Sequence, residues 1–255
     1  MESVTHFGNA LEDRLIPRAE DIPADPAPGN YVVIDVLHFS TTVIELLANG
    51  ADRVHVTEER GDEFAYREDH PDAVIGGGAT DEYEPTAGYD FFNSPSYVQD
   101  LDLDGRPAAL WSSNGGRALV ALRERLGPDS AIYVGSTTNA RVLAAHLARS
   151  DRPTYLVSAG SRGEIAEEDL VGATLISRYM DGLVPAQTEL DLFASQVETA
   201  KGEAYVDRHP IRRRDVREFA MAIDARSVIP ELEGEGLVAR TDAVPNQLAV
   251  PQAAD

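Results

Sequence analysis

The sequence contains no cysteine, which excludes disulfides and any chemistry that needs a thiolate. Positive charge is scarce: 22 Lys and Arg stand against 44 Asp and Glu, a formal net charge of -22, and Lys201 is the only lysine. Phosphate neutralisation needs a basic surface, so the composition argues against a nucleic-acid partner. No apolar run approaches the roughly 18 residues a membrane span needs. The opening MESVTHFGNALEDR is acidic where a signal peptide would be basic. The expectation is a cytoplasmic protein with no membrane partner. Walker A, GxGxxG, HExxH and GxSxG patterns are also missing, which weakens nucleotide, zinc-protease and serine-hydrolase readings.

What the chain has in excess is carboxylate. In a high-salt cytoplasm, carboxylates stay hydrated and screening suppresses the self-repulsion that would destabilise the chain in dilute solution, so a halophilic setting is expected. The length suits one α/β domain over residues 1–240, with 241–255 as a loosely held tail.

The organising stretch is YVVIDVLHFSTTVIELLANGADRVHV, residues 31–56. Its apolar run reads as a strand buried on both faces, and Val43, Leu46 and Leu47 continue at helical spacing. Between them lie Asp35 and the hydroxyls Ser40, Thr41 and Thr42. A strand-end carboxylate can hold a divalent cation, and free N–H groups at a helix start favour an anion beside it. Upstream, Leu15 and Ile16 suggest a short edge strand. Arg53–Thr57 reads as another strand, 58–73 as a polar helix or loop, 75–78 as a glycine-rich patch, and the stretch after it as a long functional loop. From residue 107 the pattern alternates regularly between apolar strand, Ser/Thr/Asn/Gly turn and amphipathic helix. This predicts an α/β fold, three-layer α/β/α with a largely parallel or mixed central sheet. Four turns, at 40–42, 112–116, 136–139 and 158–163, should then converge at one sheet edge, where ligands bind. Two more amphipathic helices are expected at 187–201 and 212–224, and VIPELEGEGLVAR supplies a last short strand or turn.

Six stretches together resemble one family. They are VVIDVL-x-x-STT at 32–42, GYDFFNSP at 88–95, SSNGGRAL at 112–119, GSTTNARVLA at 135–144, AGSRGEIAEEDLVGA at 159–173, and the closing DVREFAMAID with VIPELEGEGLV. Taken in this order over about residues 30–240, they resemble the 2-phosphosulfolactate phosphatase family. The resemblance implies a layered α/β/α fold and a magnesium-dependent phosphatase. The family's named reaction converts 2-phospho-3-sulfolactate and water to 3-sulfolactate and phosphate, on the route to coenzyme M. Three departures stand out. His38 occupies the place of an arginine after Asp-Val-Leu, Gly78 and Ala79 replace the Glu-Arg of a Gly-Gly-Glu-Arg motif, and Phe92 replaces the glycine of a Gly-Asn-Ser-Pro turn. Two missing arginines leave open how a sulfonate and a phosphate would both be gripped, since guanidinium forks are the usual means.

The candidate residues follow from chemistry at the turns, each with a plainer alternative. Asp35 is expected to bind Mg²⁺ or orient a nucleophile; otherwise it caps the next turn. Asp90, with Asn93 and Ser94 donating hydrogen bonds, is either a second metal ligand or an Asx-turn before Pro95. Glu168 and Asp169 sit where Ser161 and Glu164 can open a helix as a capping box, and adjacent side chains diverge by about 100°. Asp169 is therefore chosen as the one facing the site, where it would join Asp35 and Asp90 as a magnesium ligand. Asn114 and Asn139 each open a helix, as anion donors or as simple caps. Ser40, Thr41 and Thr42 would bind phosphate oxygens by the same logic. Arg162 is the preferred counter-charge over Arg117 and Arg141. His38 serves as donor or general acid, or merely packs. The leading expectation is Mg²⁺-assisted hydrolysis of a small anionic phosphate ester by a homodimer. The alternative is a catalytically degenerate member that binds an anionic metabolite or a protein partner.

Overall fold

The structure, a computed structural model, describes residues 9–240; the tail expected at 241–255 lies outside the described residues. After a short helix α1 (Asn9–Glu12) comes a two-residue strand, β1 (Leu15–Ile16). The apolar run becomes β2 (Asn30–Ile34), buried throughout, and the helical spacing after it becomes α2 (Phe39–Ala48). Next come β3 (Val54–Val56), α3 (Asp62–Asp69), β4 (Val74–Gly77) and β5 (Phe91–Phe92). Three β–α units follow: β6 (Ala108–Leu110) with α4 (Gly115–Arg125), β7 (Ala131–Gly135) with α5 (Ala140–Leu147), and β8 (Thr154–Ser158) with α6 (Glu167–Met180). The described chain closes with α7 (Gln187–Thr199), α8 (Glu203–Val206), α9 (Pro210–Arg214), a π-helical turn at Asp215–Ala220, β9 (Ile229–Glu233) and β10 (Gly236–Arg240). No helix among the described residues is long and apolar enough to cross a membrane.

All ten strands join one mixed sheet in the order β1-β8-β2-β7-β9-β10-β3-β6-β4-β5. This is the expected α/β architecture, with helices on both faces. Side chains alternate across β2, as a pleated strand requires. Val33 points to a core shared with Phe39, Val43, Leu110 and Leu119, whereas Val32 and Ile34 point to one shared with Leu143, Leu175, Ile176 and Val216. Each such fully buried side chain contributes about 1.5–3 kcal/mol by leaving water.

Two elements depart from the sequence expectation. Residues 229–240 form two strands, a hairpin at the centre of the sheet, where one short strand or turn was expected. β9 pairs antiparallel with β7, and β10 pairs antiparallel with β3. Three antiparallel pairings thus separate β7 from β3, so the two parallel halves of the sheet run in opposite senses. The glycine patch is also a strand. A Cβ on Gly76 would press on the Phe91 ring (2.6 Å to Cδ2), and one on Gly77 on the Tyr89 ring (2.6 Å to Cζ). Glycine is needed there because aromatic rings occupy the space a side chain would take.

Candidate active site

Asp35 follows β2 and is almost wholly buried, 4% exposed. Its backbone N–H donates to Ser40 Oγ (2.9 Å), and its Oδ2 accepts the Gly115 N–H at the start of α4 (2.9 Å). Burial pushes its carboxyl up to about 6; the Gly115 N–H and the Lys201 charge oppose that shift, while Glu168 adds to it.

The other buried charges come from α6 and the turn after α7. Asp169 has both oxygens occupied, Oδ1 by the Val36 N–H (2.9 Å) and Oδ2 by the Gly160 N–H (3.1 Å). Burial, and then the charges of Asp35 and Glu168, raise its pKa well above the ordinary value. Glu168, which the sequence reading turned away from the site, is 2% exposed and lies 2.7 Å from Lys201 Nζ. Burial lowers the Lys201 pKa, but Glu168 and then Tyr205 and Asp35 outweigh it, so the ammonium form is favoured. Three buried carboxylates therefore face a single lysine.

Asp35 and Lys201 line a cavity of about 380 Å³, together with Ser112, Ser113 and Asn114 after β6. Gly77, Gly78 and Trp111 form another side, Asn93 contributes from the loop after β5, and Ser161 and Arg162 contribute from the turn before α6. Leu37, His38, Tyr205 and Arg212 complete it. Arg212 Nη1 donates to Tyr205 Oη (2.8 Å), and that hydroxyl lies 3.1 Å from His38 Nε2. Burial, and then the charges of Arg212 and Lys201, lower the His38 pKa well below its usual value, so the imidazole is neutral. A second cavity, of about 360 Å³ between Asp52, His55, Tyr66 and Glu235, lies away from these buried charges.

Two of the four expected turns reach the cavity, through Ser112–Asn114 and Ser161–Arg162. The other two are internal. Ser40 Oγ donates to Val33 O (3.2 Å), and Thr41 Oγ1 lies 2.8 Å from both Val36 O and Ser136 Oγ. Thr42 Oγ1 is buried without a partner among the described residues. Asn139 donates through Nδ2 to Val134 O (3.3 Å) and Val228 O (3.0 Å) and accepts the Ser136 N–H, so its side chain braces β7 against the approach to β9. Asp90 is not brought to the cavity; it pairs with Arg67 and accepts the Ile75 N–H (2.8 Å). Ser94 turns inward and donates to Asp215 Oδ1 (2.6 Å). No capping box forms at Ser161 and Glu164, whose backbones bond each other in a tight turn while α6 starts at Glu167. Arg117 pairs with Glu20, and Arg141 approaches Asp224 through its backbone N–H.

Lys201, Tyr205, Arg212 and Trp111 escaped the sequence reading. Scarcity was the available signal for Lys201, the one lysine of the chain, which the structure places half-buried beside Glu168. No cluster of three or more potential metal ligands occurs among the described residues. Magnesium needs less, commonly one or two carboxylates plus substrate oxygens and water. Asp35 is the one carboxylate on the cavity wall among the described residues, so a divalent cation there would take Asp35 and, for its remaining positions, substrate oxygens and water.

A family profile described as 2-phosphosulpholactate phosphatase matches residues 16–210 of the chain. Among curated proteins, one from Symbiobacterium thermophilum named "Probable 2-phosphosulfolactate phosphatase" is 34% identical over 167 residues, covering 66% of this chain and 68% of its own. Proteins with the same name from Deinococcus radiodurans and Clostridium acetobutylicum are 28% and 30% identical, over 68% and 66% of this chain and 70% of each of their own.

Proposed function

The chain belongs to the 2-phosphosulpholactate phosphatase family, and from that membership we propose a magnesium-dependent phosphatase that hydrolyses a small phosphate monoester, 2-phospho-3-sulfolactate, to 3-sulfolactate and phosphate. The single observation that carries this reading is the buried Asp35 carboxylate beside Lys201, bonded to the first N–H of α4, at a cavity otherwise edged with hydroxyls, amides and arginines. Phosphoryl transfer asks a protein mainly to position the ester and neutralise developing charge. Lys201 and Arg162 supply positive charge next to the phosphoryl group, and Ser112, Ser113 and Asn114 supply hydrogen bonds to its oxygens. Asp35 sets the line of attack and Glu168 holds Lys201 in place. Asp35 would hold a magnesium ion, which would supply positive charge beside the phosphoryl group. His38, kept neutral, acts as a hydrogen-bonding partner of Tyr205 and not as a cation.

The test is phosphate release in molar KCl with Mg²⁺. Asp35→Asn is expected to lower kcat by about a thousandfold or more while the variant still melts cooperatively. Near-normal turnover in that variant would overturn the role. Saturable binding of 2-phospho-3-sulfolactate by the wild type without any turnover would instead identify a binding protein.

A further inference from the structure

In a chain with twice as many acids as bases, many arginines end on carboxylates, and others, such as Arg106 and Arg125, on backbone carbonyls. Arg14 meets Asp181, Arg178 meets Glu189, and Arg226 meets Glu45. Arg60 and Arg212 form no salt bridge among the described residues and are held by aromatic faces instead. The Arg212 guanidinium carbon lies 4.7 Å from the Tyr205 ring centroid and 5.4 Å from that of Tyr83. Its Nε is buried with no acceptor among the described residues. A buried donor left unpaired costs free energy unless something arrives to accept from it. Arg60 lies 5.0 Å from the Trp111 centroid. It occupies the place where a side chain at position 78 would begin, because a Cβ on Gly78 would collide with Arg60 Nη2 and sit 2.9 Å from its Cζ. Gly78 and Trp111 both line the cavity. The missing side chain at Gly78 thus admits a guanidinium from elsewhere in the chain.

Stacking fixes the plane of a guanidinium and leaves in-plane N–H groups to grip an oxyanion; in Arg212, whose Nη1 donates to Tyr205 Oη, the unpaired Nε is the group that offers this. We propose that Arg60 and Arg212 select a phosphate ester whose carbon skeleton carries a further acid group, a carboxylate or a sulfonate, and that they bind that group while Lys201 and the 112–114 turn take the phosphate. This inference rests on the phosphate-ester reading and adds to it the residues that set specificity.

A graded series tests it: isopropyl phosphate, 2-phospholactate with a carboxylate in place of one methyl, and 2-phospho-3-sulfolactate with a sulfonate added. The wild type should favour the acid-bearing esters over isopropyl phosphate by about tenfold to a hundredfold in kcat/KM, the range expected of charge-assisted hydrogen bonds. In R60Q and R212Q the loss on the acid-bearing esters should exceed the loss on isopropyl phosphate by about tenfold or more, chiefly in KM, with partial recovery in R60K and R212K. Equal losses on all three esters, or a wild type indifferent to the added acid, would overturn the assignment. If no ester is hydrolysed, the phosphatase reading fails by itself. Calorimetric binding of 2-phospholactate and isopropyl phosphate to the wild type and both variants then decides the selectivity by the same comparison.

Discussion

At Asp215, three hydrogen bonds and the Arg212 charge contend with burial. Its Oδ1 accepts Ser94 Oγ (2.6 Å), Ser96 Oγ (2.5 Å) and the Ser96 N–H (3.0 Å), while its Oδ2 is buried without a partner among the described residues. Burial prevails over those bonds and over the Arg212 charge, and the pKa is raised. The native state therefore takes up a proton more readily than the unfolded chain. The stabilisation is complete below the unfolded value, about 3.9, and is lost as pH climbs through the native one. Asp215→Asn imitates the protonated form, so it should be more stable than the wild type near pH 7 by about 1 kcal/mol, the cost of an ill-paired buried group, with the difference closing toward about pH 4. Urea midpoints in constant molar salt measure this, and a difference that widens in acid would contradict it. At this scale the sequence revealed Asp35, because a charge ending a buried apolar run needs a partner. It did not reveal Lys201 or Arg212, because their surroundings are assembled from α6, the α7–α8 turn and residues far upstream, and no local pattern encodes such a meeting.

Elements with a strong apolar period were legible: β2, α2 and the three β–α units follow the spacing of Val, Leu and Ile. The β9–β10 hairpin was not. IPELEGEGLVAR carries Pro230, Glu231 and Glu233 in a central strand, where periodicity alone predicts none of them. It is held in place by groups from other elements. The Asp224 N–H donates to Thr137 O (3.0 Å), the Arg226 N–H donates to Thr138 O (2.8 Å), and Asn139 reaches Val228 O. The same Asn139 that reads as an anion donor in the sequence is thus a fastening for the hairpin. Asn139→Ala should cost about 2–3 kcal/mol, since it removes three hydrogen bonds to backbone groups, two of them buried. Hydrogen exchange over residues 229–240 should quicken more than exchange over β1 and β8; uniform quickening would show that the hairpin has no such local anchor. The glycine patch was not legible as a strand for a related reason. Its backbone is extended, and the rings that fill its missing side chains come from Tyr89 and Phe91, more than ten residues later.

For the whole molecule, an excess of 44 acidic over 22 basic residues implies repulsion that counter-ions must damp. The melting midpoint in molar KCl should exceed that in dilute buffer by roughly 5 °C or more, about 2 kcal/mol for a chain of this size. Equal midpoints would remove the high-salt interpretation. Fold class was readable at this scale because alternating strands and helices leave few arrangements. The opposed sense of the two sheet halves was not readable, since it depends on where a hairpin at the end of the described chain inserts.

One consequence follows from the solitary ammonium at position 201. Apart from the α-amino group, an acylating dye has a single address on this polypeptide, and that address is the wall of the cleft next to Glu168. Occupancy of the cleft can therefore be followed by protection of one spectroscopic label, with no engineered anchor.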